Sequence, residues 1–339
     1  MESNGAAHPL FTVVLISYRH DNYCGEALES ILNQDINRDL FEIIAVAKST
    51  GAATEMLKEK SRTVPIRILT HDGFHQGTKL KLAIDAAKGS WISILEDDDL
   101  WHPLKLSRVL KLISSCEDDI VYVHDKPRPF VGDDAPDPDP VLRETNSNSC
   151  FVFDCQSFWK TPRINLCDHN ASSVTIKREL FTEEMGMLQN LEGGLDTFLF
   201  AVALASGRKL ARTREPLAFF RISKEVPSRS YTIGNLKRQL QGFRLIRERM
   251  GKYPVPGLDS ILDYRMNTNL MKLALLGNSE ETAESPITLV RSILSNPLSR
   301  SIENITLVLL FLIRSMNRGL SEKVYFLASS LEAKRRRSI

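Results

Sequence analysis

The sequence predicts an α/β protein, a doubly wound and mostly parallel sheet with helices on both faces, followed by a helical C-terminal region. Three observations carry that prediction. Apolar, β-rich runs alternate with segments of helical periodicity through the first 125 residues, the pattern of repeated βαβ units. The links between them are short, so each helix returns the chain to the next parallel strand. From about residue 231 onward only helical periodicity remains. A chain of 339 residues is long enough for about two domains. The boundary falls at this change of pattern, giving an α/β domain over 1–230 and a helical region over 231–339.

Taken in order, FTVVLIS (11–17) is a continuous apolar run of the kind buried on both faces of a parallel sheet. YCGEALESILNQ (23–34) places Ala27, Leu28, Ile31 and Leu32 at helical spacing. FEIIAVA (41–47) and TEMLKEKSR (54–62) repeat the alternation. So do PIRILT (65–70) and TKLKLAIDAAKG (78–89), whose Gly89 stands where a helix C-cap glycine belongs. WISIL (91–95), PLKLSRVLKLIS (103–114) and DIVYVHD (119–125) complete the series. KPRPFVGDDAPDPDP (126–140) is too rich in proline for a regular element and reads as a long exposed loop or hairpin insertion. NASSVTIKRELF (170–181) resumes strand then helix, LDTFLFAVALASGRKLA (195–211) is a helix closed at Gly207, and EPLAFFRI (215–222) is a last strand. Five helical stretches follow, over 233–251, 257–277, 287–294, 301–319 and 322–337. In doubly wound sheets ligands bind beyond the carboxyl ends of the strands. That rule puts Ser17–Asp21, Ala47–Thr50 and Glu96–Asp99 along one candidate edge.

Composition narrows the function classes. With 42% hydrophobic and 25% charged residues the chain has the make-up of a soluble globular protein. Residues 231–339 hold 17 Lys/Arg against 9 Asp/Glu, and residues 1–230 hold 27 against 33. An acidic front suits cations and a basic back faces anions. Cys24, Cys116, Cys150, Cys155 and Cys167 form no CxxC pair, which points to reduced thiols, a cytoplasmic location and no zinc site. The N-terminus lacks a basic n-region, and no run reaches the roughly 18 to 20 apolar residues of a membrane span. ITLVLLFLI (305–313) and the terminal KRRR (334–337) read either as a buried helix with a solvated tail or as a peripheral contact with an anionic membrane. The basic helix between 237 and 249 carries Phe243 as its one aromatic and matches no nucleic-acid motif, so no nucleic-acid partner is expected.

The densest chemistry lies in WISILEDDDLWHP (91–103), where Glu96, Asp97, Asp98 and Asp99 follow the strand directly. One acid there suffices to cap the next helix, a role open to Asp99. Four adjacent carboxylates repel one another, and a divalent cation relieves that repulsion. Hard oxygen donors suit Mg²⁺ or Mn²⁺, especially where phosphates complete the coordination.

Four blocks in order, spanning roughly residues 10–225, resemble family 2 glycosyltransferases of the GT-A fold. TVVLISYRHDNYCGEALESILNQ is similar to their opening strand, Thr/Ser-Tyr pair and ALxSxLxQ helix; AIDAAKGSWISILEDDDLWHPLKL resembles their GIxxAxGxYIxxLDxDDxxxPxKL block. NASSVTIKRELF looks like their acceptor-side strand and helix, and LDTFLFAVALASGRKLARTREPLAFFRI is similar to their EDxxLxxxLxxxG…PLxxYRx block. The resemblance divides the α/β domain into a donor half at about 10–125 and an acceptor half at about 150–230. It implies transfer of a sugar from a nucleotide diphospho-sugar, with inversion, to a glycan or lipid-linked glycan acceptor, and use of Mn²⁺ or Mg²⁺. LEDDD stands at the family's Asp-x-Asp motif, with Glu96 at the first acidic position and Asp98 at the second. Asp98 is thereby implied as metal ligand, Glu96 as ligand or donor contact, and Asp97 as donor contact. Ser17 and Tyr18 match positions beside the nucleobase, where an aromatic face can stack, although Tyr18 can also simply close the strand end. Asp196 matches the aspartate of the family's Glu-Asp pair, the general base of relatives, although it can also cap its helix. The chain departs from the pattern in three places. Ala47-Lys48 stands where relatives carry the base-reading acid, Leu195 replaces the paired glutamate, and Lys79-Leu80-Lys81 replaces Ala-Arg-Asn. Lys48, Lys79 and Lys81 can contact the diphosphate, or Lys79 and Lys81 can lie solvated on their helix. The Gln-x-x-Arg-Trp motif of processive synthases is absent, since QGFRL (241–245) lacks the tryptophan. A second reading is a GT-A domain of weak or no activity that serves as a binding or scaffold subunit.

Overall fold

β1 (Phe11–Ile16), β2 (Phe41–Ala47), β3 (Ile66–Thr70) and β4 (Trp91–Glu96) form the parallel heart of the protein, with β1 paired to β2 and β4, and β2 to β3. The computed structural model describes residues 8–17, 22–73, 75–115, 119–132, 136, 150–157, 167–181, 185–222, 232–276, 289–291, 293 and 307–312. These fall in two compact units, one drawn from Met1–Phe130, Asp134–Leu191 and Leu195–Arg221, the other from Val131–Asp133, Glu192–Gly194 and Ile222–Ile339.

In the first unit α1 (Cys24–Leu32), α2 (Ala52–Lys60), α3 (Gln76–Ala86) and α4 (Lys105–Ser115) link or follow these strands. β5 (Leu100–Trp101), β6 (Ile120–His124), β7 (Pro127–Val131), β8 (Cys150–Phe153) and β9 (Val174–Lys177) come next, then the single-turn α5 (Met185–Leu188), α6 (Leu195–Ala205), β10 (Lys209–Thr213) and β11 (Ala218–Ile222). The main sheet runs β3-β2-β1-β4-β9-β6-β10-β8, and a small second sheet runs β5-β11-β7. Strand alternation divides the core. Val13, Leu15, Ile43 and Ala45 face a cluster with Ala27, Leu28 and Ile31 of α1, Leu57 of α2, and Leu106 and Val109 of α4. On the other face, α3 packs on β1 and β2 while α6 packs on β6 and β9.

Several expectations change. β9 lies antiparallel between β4 and β6, and β8 is antiparallel to β10, so the parallel run is interrupted after β4. The helix expected over 195–211 ends at Ala205, because Gly207 is left-handed at φ +69° and stops it. Lys209–Thr213 then pairs parallel with β6 as a sheet strand. Residues 178–181 form a 3-10 turn rather than an α-helix. In the proline-rich 126–140 stretch, Pro127–Val131 is a strand after all; it lies at the edge of the small sheet, where prolines cost no ladder bond. Gly89 is not a C-cap: α3 already ends at Ala86. Its reason is close approach, since a Cβ would stand 2.4 Å from the Thr12 backbone nitrogen, and its own N–H donates to Thr12 Oγ1 at 2.9 Å.

At the carboxyl end of β6 sit two buried polar features. Lys105 and Asp125 form an ion pair with almost no exposure, bracing the start of α4 against the strand end. His124 is fully buried; its Nε2 lies 2.8 Å from the His169 carbonyl oxygen, so Nε2 carries the proton that it donates. Burial pushes the His124 pKa down to about 3. Since the unfolded imidazole takes up its proton near pH 6.5, the native state binds fewer protons between that pH and about 3. The stabilisation is therefore complete above pH 6.5 and is lost on acidification, at about 1.4 kcal/mol per pH unit. His124→Gln, which can keep the bond to the His169 carbonyl, is expected to flatten the fall in unfolding free energy between pH 6.5 and 5 relative to wild type, as read by urea titration at each pH.

The second unit contains α7 (Ile233–Met250) and α8 (Leu258–Leu275), joined through Leu236, Leu240 and Leu273. A further cluster gathers Met271 and Leu275 with Leu289, Ile293, Leu307, Val308 and Phe311. Of the ITLVLLFLI stretch only 307–312 is among the described residues; there Leu307, Val308 and Phe311 are buried, while Leu309 and Leu312 are exposed. Among the described residues no helix is long and apolar enough to cross a membrane. Residues 313–339, with the KRRR tail, lie outside the described residues.

Candidate active site

The acidic turn is built by a strand that ends one residue too late to hide its carboxylates. β4 delivers Glu96 level with Ile16 of β1, and the period of two continues through the turn. Asp97 and Asp99 are buried, at 2% and 4% exposure, while Glu96 and Asp98 are half-buried and reach solvent. The inward pair is anchored. Asp97 accepts a hydrogen bond from Ser17 Oγ at 3.2 Å. Asp99 accepts from the Asn170 amide at 2.9 Å and from the Arg221 backbone N–H at 3.1 Å. Asp99 is thereby a scaffold residue rather than the N-cap it could have been. Glu96 accepts from Gln76 Nε2 at 2.5 Å, and its backbone N–H donates to Ser172 Oγ at 3.1 Å.

Withdrawal from bulk water, together with the neighbouring carboxylates, holds Glu96 and Asp98 well above the usual carboxylate range. Burial likewise raises Asp99, opposed by its bonds from Ser172, Asn170 and Arg221. The negative charge of Asp196 is among those felt at Glu96, so both acids belong to one field. Asp196 opens α6. Its Oδ1 accepts the Thr197 N–H at 2.9 Å and its Oδ2 the Asn170 N–H at 3.0 Å.

The other expected residues divide. Ser17 sits at the end of β1, where its carbonyl accepts a bond from Lys79 Nζ at 2.5 Å. Lys79 is fully buried, which overturns the solvated alternative for it, whereas Lys81 pairs with Asp85 at the surface. Lys48 is half-buried beyond the end of β2, and its carbonyl accepts from Thr54 Oγ1 at 2.7 Å. Next to it Ser49 donates from both its N–H and its hydroxyl to Asp72, at 2.7 Å each, which draws the Asp72 pKa down. Tyr18 lies outside the described residues.

Two contributors were not foreseen. Arg221, on β11, stacks over Tyr23 at 4.0 Å and Phe130 at 4.6 Å, pairs with Glu26 at 2.6 Å, and donates from Nε to the Asp98 carbonyl at 3.0 Å. The NASS stretch (170–173) cradles the turn through Asn170 and Ser172, and the Ser172 carbonyl also accepts from Trp101 Nε1 at 2.8 Å. The arginine at the end of PLAFFRI was a sequence signal that could have pointed to Arg221. Nothing in the spacing pointed to Asn170.

Comparison with known proteins adds the family. The family model described as Glycosyl transferase family 2 matches residues 12–171. Over those residues the chain is similar to a family 2 glycosyltransferase domain. An uncharacterized glycosyltransferase of Methanocaldococcus jannaschii is 30% identical over 114 residues, covering 32% of this chain and 39% of that protein. Protein CgeD of Bacillus subtilis is 31% identical over 113 residues, covering 30% of this chain and 26% of its own length. The chain thus spans about a third of the length of the curated relatives it matches. Among solved structures, residues 1–349 of S. aureus TarS align over 88% of this chain and 82% of theirs, with a TM-score of 0.57 at 14% identity. The mannosyltransferase PcManGT of Pyrobaculum calidifontis, in complex with GDP-Man and Mn²⁺, covers 96% of this chain and 87% of its own with a TM-score of 0.53 at 15% identity. These likenesses place the glycosyltransferase domain in the GT-A fold, with the acidic turn at the carboxyl edge of its sheet.

Proposed function

We propose that this protein is a metal-dependent, inverting and non-processive glycosyltransferase. It moves one sugar from a nucleoside diphospho-sugar to a glycan or lipid-linked glycan, at most touching an anionic membrane surface peripherally. The observation that carries the reading is the alternation in the acidic turn. Glu96 and Asp98 face outward with their ionised forms destabilised, while Asp97 and Asp99 are tied to the scaffold. An outward pair of carboxylates that resists ionisation fits a divalent cation, because a cation restores the charge that burial and repulsion suppress. Among the described residues no three His, Cys, Asp or Glu side chains converge as a complete metal cage. Glu96 and Asp98 would therefore share the ion with oxygens of the donor. Such an ion, when bound, neutralises charge on the departing diphosphate.

Asp196 supplies the second half of the chemistry. Backbone donors at Asn170 and Thr197 fix the carboxylate, and a carboxylate so held can take the proton of an acceptor hydroxyl. The acceptor oxygen then bonds to the anomeric carbon as the bond to the diphosphate oxygen breaks, with inversion. On the donor side Lys48, half-buried beyond the end of β2, would contact the diphosphate, while Ser17, Asp97 and Lys79, all buried, would support that edge from behind. Support for a nucleotide-sugar donor comes from TarS, which was crystallised with UDP-GlcNAc, and from PcManGT with GDP-Man.

The test is thermal unfolding of the whole chain with UDP, GDP, TDP, ADP and CDP, each with and without Mn²⁺. Stabilisation by at least one nucleotide, present only with the metal, is expected. No response to any of them would favour the scaffold reading, which the Ala47-Lys48 and Leu195 departures motivate.

A further inference from the structure

Asn170 is the one non-glycine residue with a left-handed backbone among the described residues, at φ 65° and ψ 102°. Such a conformation is disfavoured for side chains with a Cβ and persists where the surroundings over-determine it. Here every polar group of the residue is engaged. The side-chain amide donates to Asp99 Oδ2 at 2.9 Å, and the side-chain carbonyl accepts from Ser173 Oγ at 2.9 Å. The backbone N–H donates to Asp196 Oδ2 at 3.0 Å, and the backbone carbonyl accepts from the Ser173 N–H at 3.1 Å. Asp99 in turn accepts the Arg221 N–H, while Arg221 Nε holds the Asp98 carbonyl.

We propose that Asn170 is a positioning residue that ties the acidic turn, through Asp99, to Asp196, so that the donor-facing turn and the acceptor-facing acid move as one body. This deepens the transferase reading, on which the labels donor-facing and acceptor-facing rest. The left-handed backbone is what makes the tie possible. It turns the N–H toward α6 while the side chain reaches the opposite way, to the turn. Ser173 closes both remaining acceptors, so the residue has one arrangement to adopt. A residue of ordinary backbone would satisfy one side and leave the other to water.

The experiment is amide hydrogen exchange by mass spectrometry on the full chain, following the peptides that carry Thr197 and Arg221. The variant Asn170→Gly accepts the backbone conformation without penalty and keeps the N–H, but removes the link to Asp99. Both peptides are expected to exchange at least tenfold faster in it, with β1, β2 and β4 unchanged. The double variant N170D/D99N exchanges donor and acceptor across the same contact and is expected to restore slow exchange at both. A response at the Arg221 peptide alone would overturn the proposal, as would no response in either. General loss of protection would mark a folding defect in Asn170→Gly, and slow exchange at both peptides in the double variant then decides; failure there overturns the link. A second arm adds Mn²⁺ with UDP, GDP, TDP, ADP or CDP in turn. In wild type the nucleotide is expected to slow exchange at the Thr197 peptide as well as at the turn, and in Asn170→Gly at the turn alone. A purely structural asparagine would not change how far ligand protection spreads. If none of the five protects wild type, the transferase reading fails, while the unliganded arm still judges the link.

Discussion

Asp98→Ala is expected to abolish metal-dependent nucleotide binding and to leave the fold intact. The residue is half-buried, and the scaffold holds it by its backbone: the carbonyl accepts Arg221 Nε, a bond that alanine keeps. Removing the carboxylate also relieves repulsion on Glu96 and Asp99, since its charge helps raise the Glu96 pKa. The melting temperature without metal is therefore expected to hold or rise. The apparent affinity for Mn²⁺ in the presence of a binding nucleotide should fall by about 100-fold or more, beyond the range seen when only an outer partner of a ligand is lost. Calorimetric titration of Mn²⁺ reads this directly, and wild-type affinity in the variant would remove Asp98 from the metal site. Asp97→Ala is the informative contrast. Asp97 is buried against Ser17, so its loss costs stability first, about 1–3 kcal/mol for the hydroxyl left without its acceptor.

The same carboxylates set a pH dependence opposite in sign to that of His124. Their pKa values are raised in the native state, so the metal-free protein binds more protons there than when unfolded. Its stability from these groups falls as pH rises from the ordinary carboxylate range through the raised values. A bound cation holds them ionised and removes that loss. The stabilisation by Mn²⁺ plus nucleotide is therefore expected to grow as pH rises through this window.

The parallel core was legible because burial on both faces forces continuous apolar runs, as in FTVVLIS and FEIIAVA, and these state their own structure. Lys209–Thr213 was not legible. KLART is short, carries charge at Lys209 and Arg212, and follows a long apolar helix whose apolar run it prolongs. Its place is set by pairing with β6 across the sheet, which local sequence does not encode. The site shows the same division. Four acids in a row announce chemistry, yet which two face outward depends on the register of β4 with β1. Asn170 was invisible for a further reason. Its role comes from a left-handed backbone and partners 71 and 26 residues away in the chain, and asparagine in a polar NASS stretch looks like any loop. Arg221 ends a block whose motif was visible, but its work is done by packing between Tyr23 and Phe130.

Asp196→Asn separates chemistry from binding, and is expected to retain metal-dependent nucleotide affinity within about threefold while losing transfer by about 10²- to 10⁴-fold, the usual worth of a positioned base. The isosteric amide can still accept the Thr197 N–H through its oxygen. Its nitrogen would then face the Asn170 N–H, donor against donor, where the carboxylate accepted at 3.0 Å. A stability loss of about 1–3 kcal/mol is expected from that unpaired N–H, small enough for the folded variant to be assayed. The rate is read as metal-dependent release of nucleoside diphosphate from the donor that wild type turns over. Full activity in the variant would place the base elsewhere. Activity lost together with nucleotide binding would instead make Asp196 part of the donor site, a result its charge on Glu96 makes worth testing. Only the pattern of retained binding and lost turnover, set against the lost binding of Asp98→Ala, assigns the two acids to opposite halves of one displacement.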